Sequence, residues 1–372
     1  MTLALTYALL QVLDVPTGEP LRLTSPERLT MSRESGAGLS QPARLILRSD
    51  GSGYLLDVRD AAVYRVMRGT RIVGRVGRVG AGPGEFERPG AIGVLGDTLW
   101  VADFRLQRFT RFDADGKTVG TQQVLLPPLP RPYVSAMPWA LLRDGQAIGP
   151  ASVAGPTESP TAPDPILVRF RVGTSQLDSS IRLSARNSSR TQQSGSAGAR
   201  ITQPLSDDPI WVASGDGASF VVVKRQVARS SERDTVRVDW YDAMGRRLKG
   251  YRIVYRPTRT PSGMRDRLQL TVPSSLPVKV DPASWYVPDY LPPVTSVVLA
   301  SDGDLWLRRE EEGRTLVAWV RLRLSVGELQ RIELPKTSSV LESRGSFVWI
   351  SELDEEEPVV TRYTIAQPQS QR

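Results

Sequence analysis

Short apolar runs in this chain alternate with polar residues and end in Gly or Asp, the pattern of half-buried antiparallel strands. Laid over each other at an offset of 46 residues, Gly53–Gly74 and Leu99–Gly120 keep a consistent register. Tyr54 falls on Trp100, Leu55 on Val101, Asp57 on Asp103, Arg59 on Arg105, Val63 on Phe109 and Val66 on Phe112. Each segment predicts an apolar strand ending in Asp, a short connection, an alternating strand, a turn and a further strand. The repeating unit is a small antiparallel meander. At an offset of 129 residues, Arg108–Ala114 meets Arg237–Ala243 in the same way, and Gly116 meets Gly245.

Hairpin signals mark the units along the chain: Asp50-Gly51, Gly96-Asp97, Asp144-Gly145, Asp216-Gly217, Asp302-Gly303 and Arg344-Gly345. Such turns need a positive φ, which Gly adopts without steric cost. Each is followed by an apolar run, as in Gly53–Leu56, Thr98–Val101 and Asp304–Leu307. Six turns followed by six strands predict an all-β, six-bladed propeller of four-stranded antiparallel blades, in which every blade buries its faces against its neighbours. Residues 1–366 are expected to form this single propeller, with insertions at about 151–165, 185–200 and 256–293 and a disordered tail at 367–372. A short helix is expected near Pro261–Leu270. The last unit supplies only three strands, Ser339–Glu342, Phe347–Ser351 and Val359–Ile365. An N-terminal strand within Leu3–Val15 is expected to join it and close the ring, which removes two exposed edges together.

Composition then narrows the chemistry. The 372 residues are 40% hydrophobic and 24% charged, and include no Cys, no His and a single Asn, Asn187. Disulfides, thiolate zinc sites, thiol nucleophiles, imidazole bases and His-ligated metals are thereby excluded. No G-x-S-x-G occurs, and none of the five lysines follows a Ser by three positions, so no catalytic residue is assigned. The net charge is +8, and Lys+Arg total 48 with only five lysines. Arg presents a planar fork that suits carboxylate or phosphate. The start, MTLALTYALLQVL, is apolar but lacks a basic n-region and an A-x-A cleavage signal. No run approaches the ~18 apolar residues of a membrane span. A periplasmic or secreted monomer is expected, with a cytoplasmic location as the alternative.

Gly80-Ala81-Gly82-Pro83-Gly84-Glu85-Phe86-Glu87-Arg88-Pro89 leads into Leu99-Trp100-Val101-Ala102-Asp103 and then Arg108–Gly116. This closely resembles an NHL-type repeat, and the whole chain resembles the bacterial six-bladed β-propeller proteins of that superfamily. The likeness is strongest over 74–120, recognisable over 42–120 and 210–350, and faint around 130–205. Related calcium-dependent lactonases and amidating lyases place Asn or His on a central metal. With no His, and with Asn187 in a polar insertion, this chain departs from them, and neither a metal nor a cofactor is expected. The motif residues also have roles that need no ligand. The glycines of Gly82-Pro83-Gly84 permit a sharp crossing between blades, Phe86 can wedge into the interblade core, and Asp57 and Asp103 can accept backbone N–H bonds from the following loop.

In a propeller, the loops from second to third strands share one face with the connections between blades. That face is expected to carry Arg59, Arg105, Lys224, Arg225, Arg308 and Arg309 as ligand-binding residues, with one acidic sector at Glu352, Asp354, Glu355, Glu356 and Glu357. Tyr133, Trp139, Trp285 and Tyr290 are candidates for apolar contact. The favoured function is a non-catalytic binding or scaffold module for an anionic small molecule, a glycan or a protein loop. A metal-independent hydrolase or lyase using paired carboxylates is the first alternative. RNA binding ranks last, because few aromatics are interleaved with the basic loops.

Overall fold

A computed structural model describes residues 10–31, 38–153, 164–174, 176–183, 189–194, 197–270, 281, 283, 285–310 and 315–366. Six small sheets make up a ring of six blades. Their first strands are Pro42–Leu47, Pro89–Leu95, the split pair Tyr133–Ala136 and Ala140–Leu141, Ile210–Ala213, Ser296–Leu299 and Ser339–Arg344. These strands approach one another around a central channel. All six predicted turns join the first strand of a blade to its second, and their glycines take positive φ between 59° at Gly96 and 84° at Gly303. The helix Met264–Leu270 lies where one was expected.

The ring closes as predicted, but with a different strand. Leu23–Arg28 pairs antiparallel with Glu357–Ile365 of the last blade. Gln11–Asp14, from the stretch expected to do this, instead lies parallel to Arg247–Tyr255 on the outside of blade 4. The closing strand has a physical reason to escape a hydrophobic pattern. It is an outer strand, mostly solvent-exposed, with a bulge where Ser25 takes a φ of 50°. A further short strand, Thr30–Met31, runs parallel to Arg71–Val76 on the outside of blade 1. In and just after the polar stretch 185–200, Ser189–Ser194 pairs antiparallel with Ala197–Thr202. The expected tail, 367–372, lies outside the described residues.

The apolar core lies in wedges between blades. Between blades 1 and 2, Ile46, Tyr54 and Val63 pack with Phe86, Val101 and Phe112. Phe86 is fully buried with its ring edge-on to Phe112 at 5.7 Å, so the Gly-Pro-Gly-Glu-Phe segment places its wedge as anticipated. Burying one such side chain contributes about 1.5–3 kcal/mol. Asp57 and Asp103 accept from the following loop as expected, and from the preceding connection as well. Buried Asp57 accepts the N–H of Asp60 at 3.3 Å and, upstream, those of Ser40 at 2.7 Å and Gln41 at 3.0 Å. Asp103 accepts from Glu87 at 2.7 Å and from Arg105 and Leu106, both at 2.9 Å.

Polar side chains bind each blade to the next. Arg48 reaches the Asp97 carbonyl at 2.7 Å, and Gln122 the Val172 carbonyl at 3.0 Å. Arg169 reaches the Met244 carbonyl at 2.7 Å, and the Tyr251 hydroxyl donates to the Leu324 carbonyl. Arg321 reaches the Gly345 carbonyl at 2.8 Å, and Arg344 returns to the Arg48 carbonyl to complete the circuit.

Candidate functional site

A cavity of about 340 Å³ opens at the mouth of the channel, on the face that carries the second-to-third-strand loops. First strands of blades 1 to 5 contribute Arg44, Ala91, Ala140, Trp211 and Ser296, and Trp100 joins them from the second strand of blade 2. Arg44 follows a bulge at Pro42 in an otherwise apolar strand, and its guanidinium crosses the channel. There it donates to the Leu299 carbonyl at 2.8 Å and approaches the Ala213 carbonyl at 3.4 Å. Burial lowers its pKa below the ordinary arginine value, and the nearby Glu342 carboxyl opposes that shift.

Glu342 comes from the first strand of blade 6 and is completely buried. Its Oε1 accepts from the backbone N–H of Ser301 at 2.7 Å and of Ser343 at 2.8 Å, while Oε2 accepts from the Ser301 hydroxyl at 2.6 Å. Burial pushes its carboxyl up to about 7, against the pull of Arg44 and these hydrogen bonds. Arg44 therefore forms the floor of the funnel with Glu342 buried beneath it, and no Asp or Glu is among the residues lining the funnel itself.

The walls are apolar and aromatic. Blade 3 interrupts its first strand at Met137-Pro138-Trp139, which leaves Trp139 46% exposed at the funnel. Gly149 makes the interruption possible, because a Cβ there would sit 1.7 Å from the Met137 carbonyl oxygen. The Trp139 ring rests against Phe104, with centroids 5.0 Å apart. Trp100 is 2% exposed, and its indole N–H has no partner among the described residues.

The predicted basic residues divide into two groups. Arg59 and Arg105 are exposed on second-to-third-strand loops, and Arg105 pairs with Glu87 at 2.5 Å. Lys224 lies 4.0 Å from buried Asp239. Arg308 donates to the Lys336 carbonyl at 3.0 Å and pairs with Glu310 at 3.2 Å. Arg225 and Arg309 converge on consecutive carbonyls. Arg225 bonds Val294 at 2.8 Å and Asp208 at 2.7 Å, and Arg309 bonds Pro293 at 3.2 Å. Burial lowers Arg225 to about 10. These two arginines clamp the segment entering blade 5.

In the acidic sector, Asp354 pairs with Arg28 at 2.8 Å and Glu352 accepts from the Tyr363 hydroxyl at 3.0 Å. Of the four aromatic candidates, Trp139 reaches the funnel. Trp285 is buried and donates to Gln269 at 3.0 Å, Tyr133 donates to the Asp164 carbonyl, and Tyr290 bridges to Arg259. Sequence reasoning missed Arg44. Its signal was a lone charge inside the run Pro42-Ala43-Arg44-Leu45-Ile46-Leu47.

No protein-family model matches the chain, and no curated protein matches it. Solved structures do. A Bacteroides fragilis protein named as a candidate for export aligns over 96% of this chain and 100% of its own, at 10% identity and a TM-score of 0.51. A DUF4221 family member from Bacteroides vulgatus aligns over 94% and 98%, at 11% identity and a TM-score of 0.50. A catalytically inactive variant of virginiamycin B lyase from Staphylococcus aureus aligns over 92% and 99%, at 10% identity and a TM-score of 0.41. At these identities the likeness establishes the six-bladed propeller fold alone. No helix among the described residues is long and apolar enough to cross a membrane.

Proposed function

We propose that this chain is an extracytoplasmic, non-catalytic binding propeller of the NHL-like kind, whose loop face and channel mouth hold an anionic small molecule, a glycan or an acidic protein loop. One observation carries the reading: the Arg44 guanidinium forms the floor of a funnel walled by Trp100, Trp139 and Trp211 and free of carboxylates along its lining. A mostly apolar concavity with few convergent polar groups is the usual form of a small-ligand site. An always-charged fork at its base selects for an oxyanion. Paired-carboxylate catalysis finds little support in this place, because Glu342 is sealed beneath the floor and engaged by three hydrogen bonds.

Tryptophan fluorescence provides the test. Benzoate and glucuronate, titrated against their neutral counterparts benzyl alcohol and glucose, are expected to quench saturably only as the anions. Trp139→Ala should weaken that response by tenfold or more. No saturable response to either anion, or turnover of a glycan or lactone panel without added metal, would remove this reading. Affinity for single-stranded RNA that collapses steeply with salt would favour the RNA alternative instead.

A further inference from the structure

A second cavity, of about 580 Å³, lies at the rim of the same face, between blades 4 and 5. One wall is the N-terminal segment Asp14–Thr17, which leaves its parallel strand beside Arg247–Tyr255. The Arg331 guanidinium pins that segment by donating to the Gly18 carbonyl at 2.8 Å. Four arginines line the cleft, Arg233, Arg256, Arg309 and Arg331, against a single carboxylate, Asp14. Asp14 is already ion-paired with Arg233. Two further carboxylates stand behind the lining. Glu333 lies 3.5 Å from Arg331, and Asp234 accepts the N–H of Thr235 at 2.6 Å.

The lining also holds a buried hydroxyl without a partner. Tyr255 is 3% exposed, and its phenolic oxygen is fully covered yet makes no hydrogen bond among the described residues. Leaving such a group unpaired is costly, so its retention beside a cluster of cations calls for an explanation. The Arg309 guanidinium lies over the same ring, 4.9 Å from its centroid. Arg256 is exposed and forms no ion pair among the described residues. Arg309 and Arg331 are held by the Pro293, Arg256 and Gly18 carbonyls, so the groups that the cleft leaves over are the exposed Arg256 guanidinium and the Tyr255 hydroxyl, in a lining with more arginines than carboxylates. An oxyanion brings acceptors and negative charge together, and arginine forks match its geometry.

We propose that this lateral cleft is a second binding site, for a small multivalent oxyanion of the phosphate or carboxylate class. It is separate from the funnel. Its lining shares no residue with that cavity, and the two need not bind the same compound.

Isothermal titration of the full chain with pyrophosphate and with citrate at fixed ionic strength, using mannitol as the neutral control, tests the assignment. Saturable binding of either anion and none of mannitol is expected, and the tighter of the two identifies phosphate or carboxylate as the natural head group. Tyr255→Phe and Arg256→Gln should each weaken binding by about tenfold, the effect of losing one hydrogen bond to a charged group. The Tyr255→Phe variant changes no charge, so its effect separates a built site from loose attraction to a basic surface. Arg256→Gln alters an exposed side chain and should leave the melting temperature unchanged. Trp139→Ala, in the funnel, should leave this binding intact. Absence of saturable heat with both anions, unchanged affinity in Tyr255→Phe, or loss of binding in Trp139→Ala would each overturn the proposal.

Discussion

At the end of the channel where first and second strands turn, arginines are spent on structure: Arg321 bonds Asp304 at 2.6 Å, Asp302 at 3.2 Å and the Gly345 carbonyl at 2.8 Å, while Arg344 ties blade 6 to Arg48 of blade 1. At the loop end the same residue type borders open space, with Arg44 under a tryptophan-walled funnel and Arg256 beside the lateral cleft. Exposure alone does not separate these roles. What separates them is what each guanidinium faces. The girdle arginines reach carbonyls and carboxylates of the neighbouring blade and hold blades together, whereas Arg44 lines an open funnel and Arg256 is exposed beside a cleft, where a ligand could meet them.

The strongest way to break this comparison lies at the turn end. Arg321 stands between two carboxylates, and burial together with Asp302 raises Asp304 to about 6 despite it. Its guanidinium also lies over the Trp306 ring at 5.7 Å. Arg321→Ala strands buried charge and should cost about 3–5 kcal/mol, measured by urea denaturation. A loss below about 1 kcal/mol would mean that the girdle does not hold the ring.

Beneath the funnel floor, pH provides the next test. The Glu342 carboxyl ionises near 4.5 in the unfolded chain but near 7 when folded. Between those values the folded state binds more protons than the unfolded one, so stability falls as pH rises through the window and levels off above it. The shift corresponds to a term on the order of 3 kcal/mol. Asp304 adds a decline of the same sign between 3.8 and about 6. The Glu342 share is therefore read as the difference between the native chain and Glu342→Gln, in urea midpoints at pH 5 and pH 8. If the variant declines as steeply as the native chain, Glu342 is not the group responsible.

Much of the turn end was legible in the chain, because its geometry is imposed locally. A positive φ demands glycine, and Gly51, Gly96, Gly145, Gly217, Gly303 and Gly345 each stand where the blade turns. Asp57 and Asp103 could be assigned for a similar reason, since their partners are backbone groups of the neighbouring loop. The loop end was harder to read. Arg44 meets carbonyls of Ala213 and Leu299, far away in sequence, so the lone charge in its apolar run marks it as unusual without showing what it meets. Arg225 and Arg309 also hold the carbonyls of Val294 and Pro293, contacts invisible in the chain for the same reason. The closing strand Leu23–Arg28 was hidden because an outer edge facing water needs no apolar alternation.

Two turn glycines sharpen the contrast within the girdle itself. A Cβ at Gly217 would sit 2.6 Å from the Leu141 carbonyl oxygen, whereas one at Gly303 would meet nothing within 4 Å. Both have positive φ, so an alanine at either position bears a backbone penalty of about 1–2 kcal/mol. Gly303→Ala should show that penalty alone. Gly217→Ala should exceed it, because blade 4 is pressed against blade 3 there and the Arg143 N–H already bonds the Gly217 carbonyl at 2.9 Å. Equal losses in thermal denaturation would mean that this blade contact yields easily.

The smallest expected change in stability belongs to Trp139. Its ring is 46% exposed, and its main anchor is the tilted contact with Phe104. Such a ring pair contributes about 0.5–1.5 kcal/mol, so Trp139→Ala should lower stability by about 1 kcal/mol. A tryptophan held half out of the fold, on a strand interrupted to present it, is poorly used as packing and well placed as a contact surface. The variant should therefore keep its fold, by circular dichroism and urea midpoint, while losing the anion-dependent fluorescence response of the funnel. A destabilisation as large as that of Arg321→Ala would show that the loop end is as structural as the turn end, and the distinction between the two ends would no longer stand.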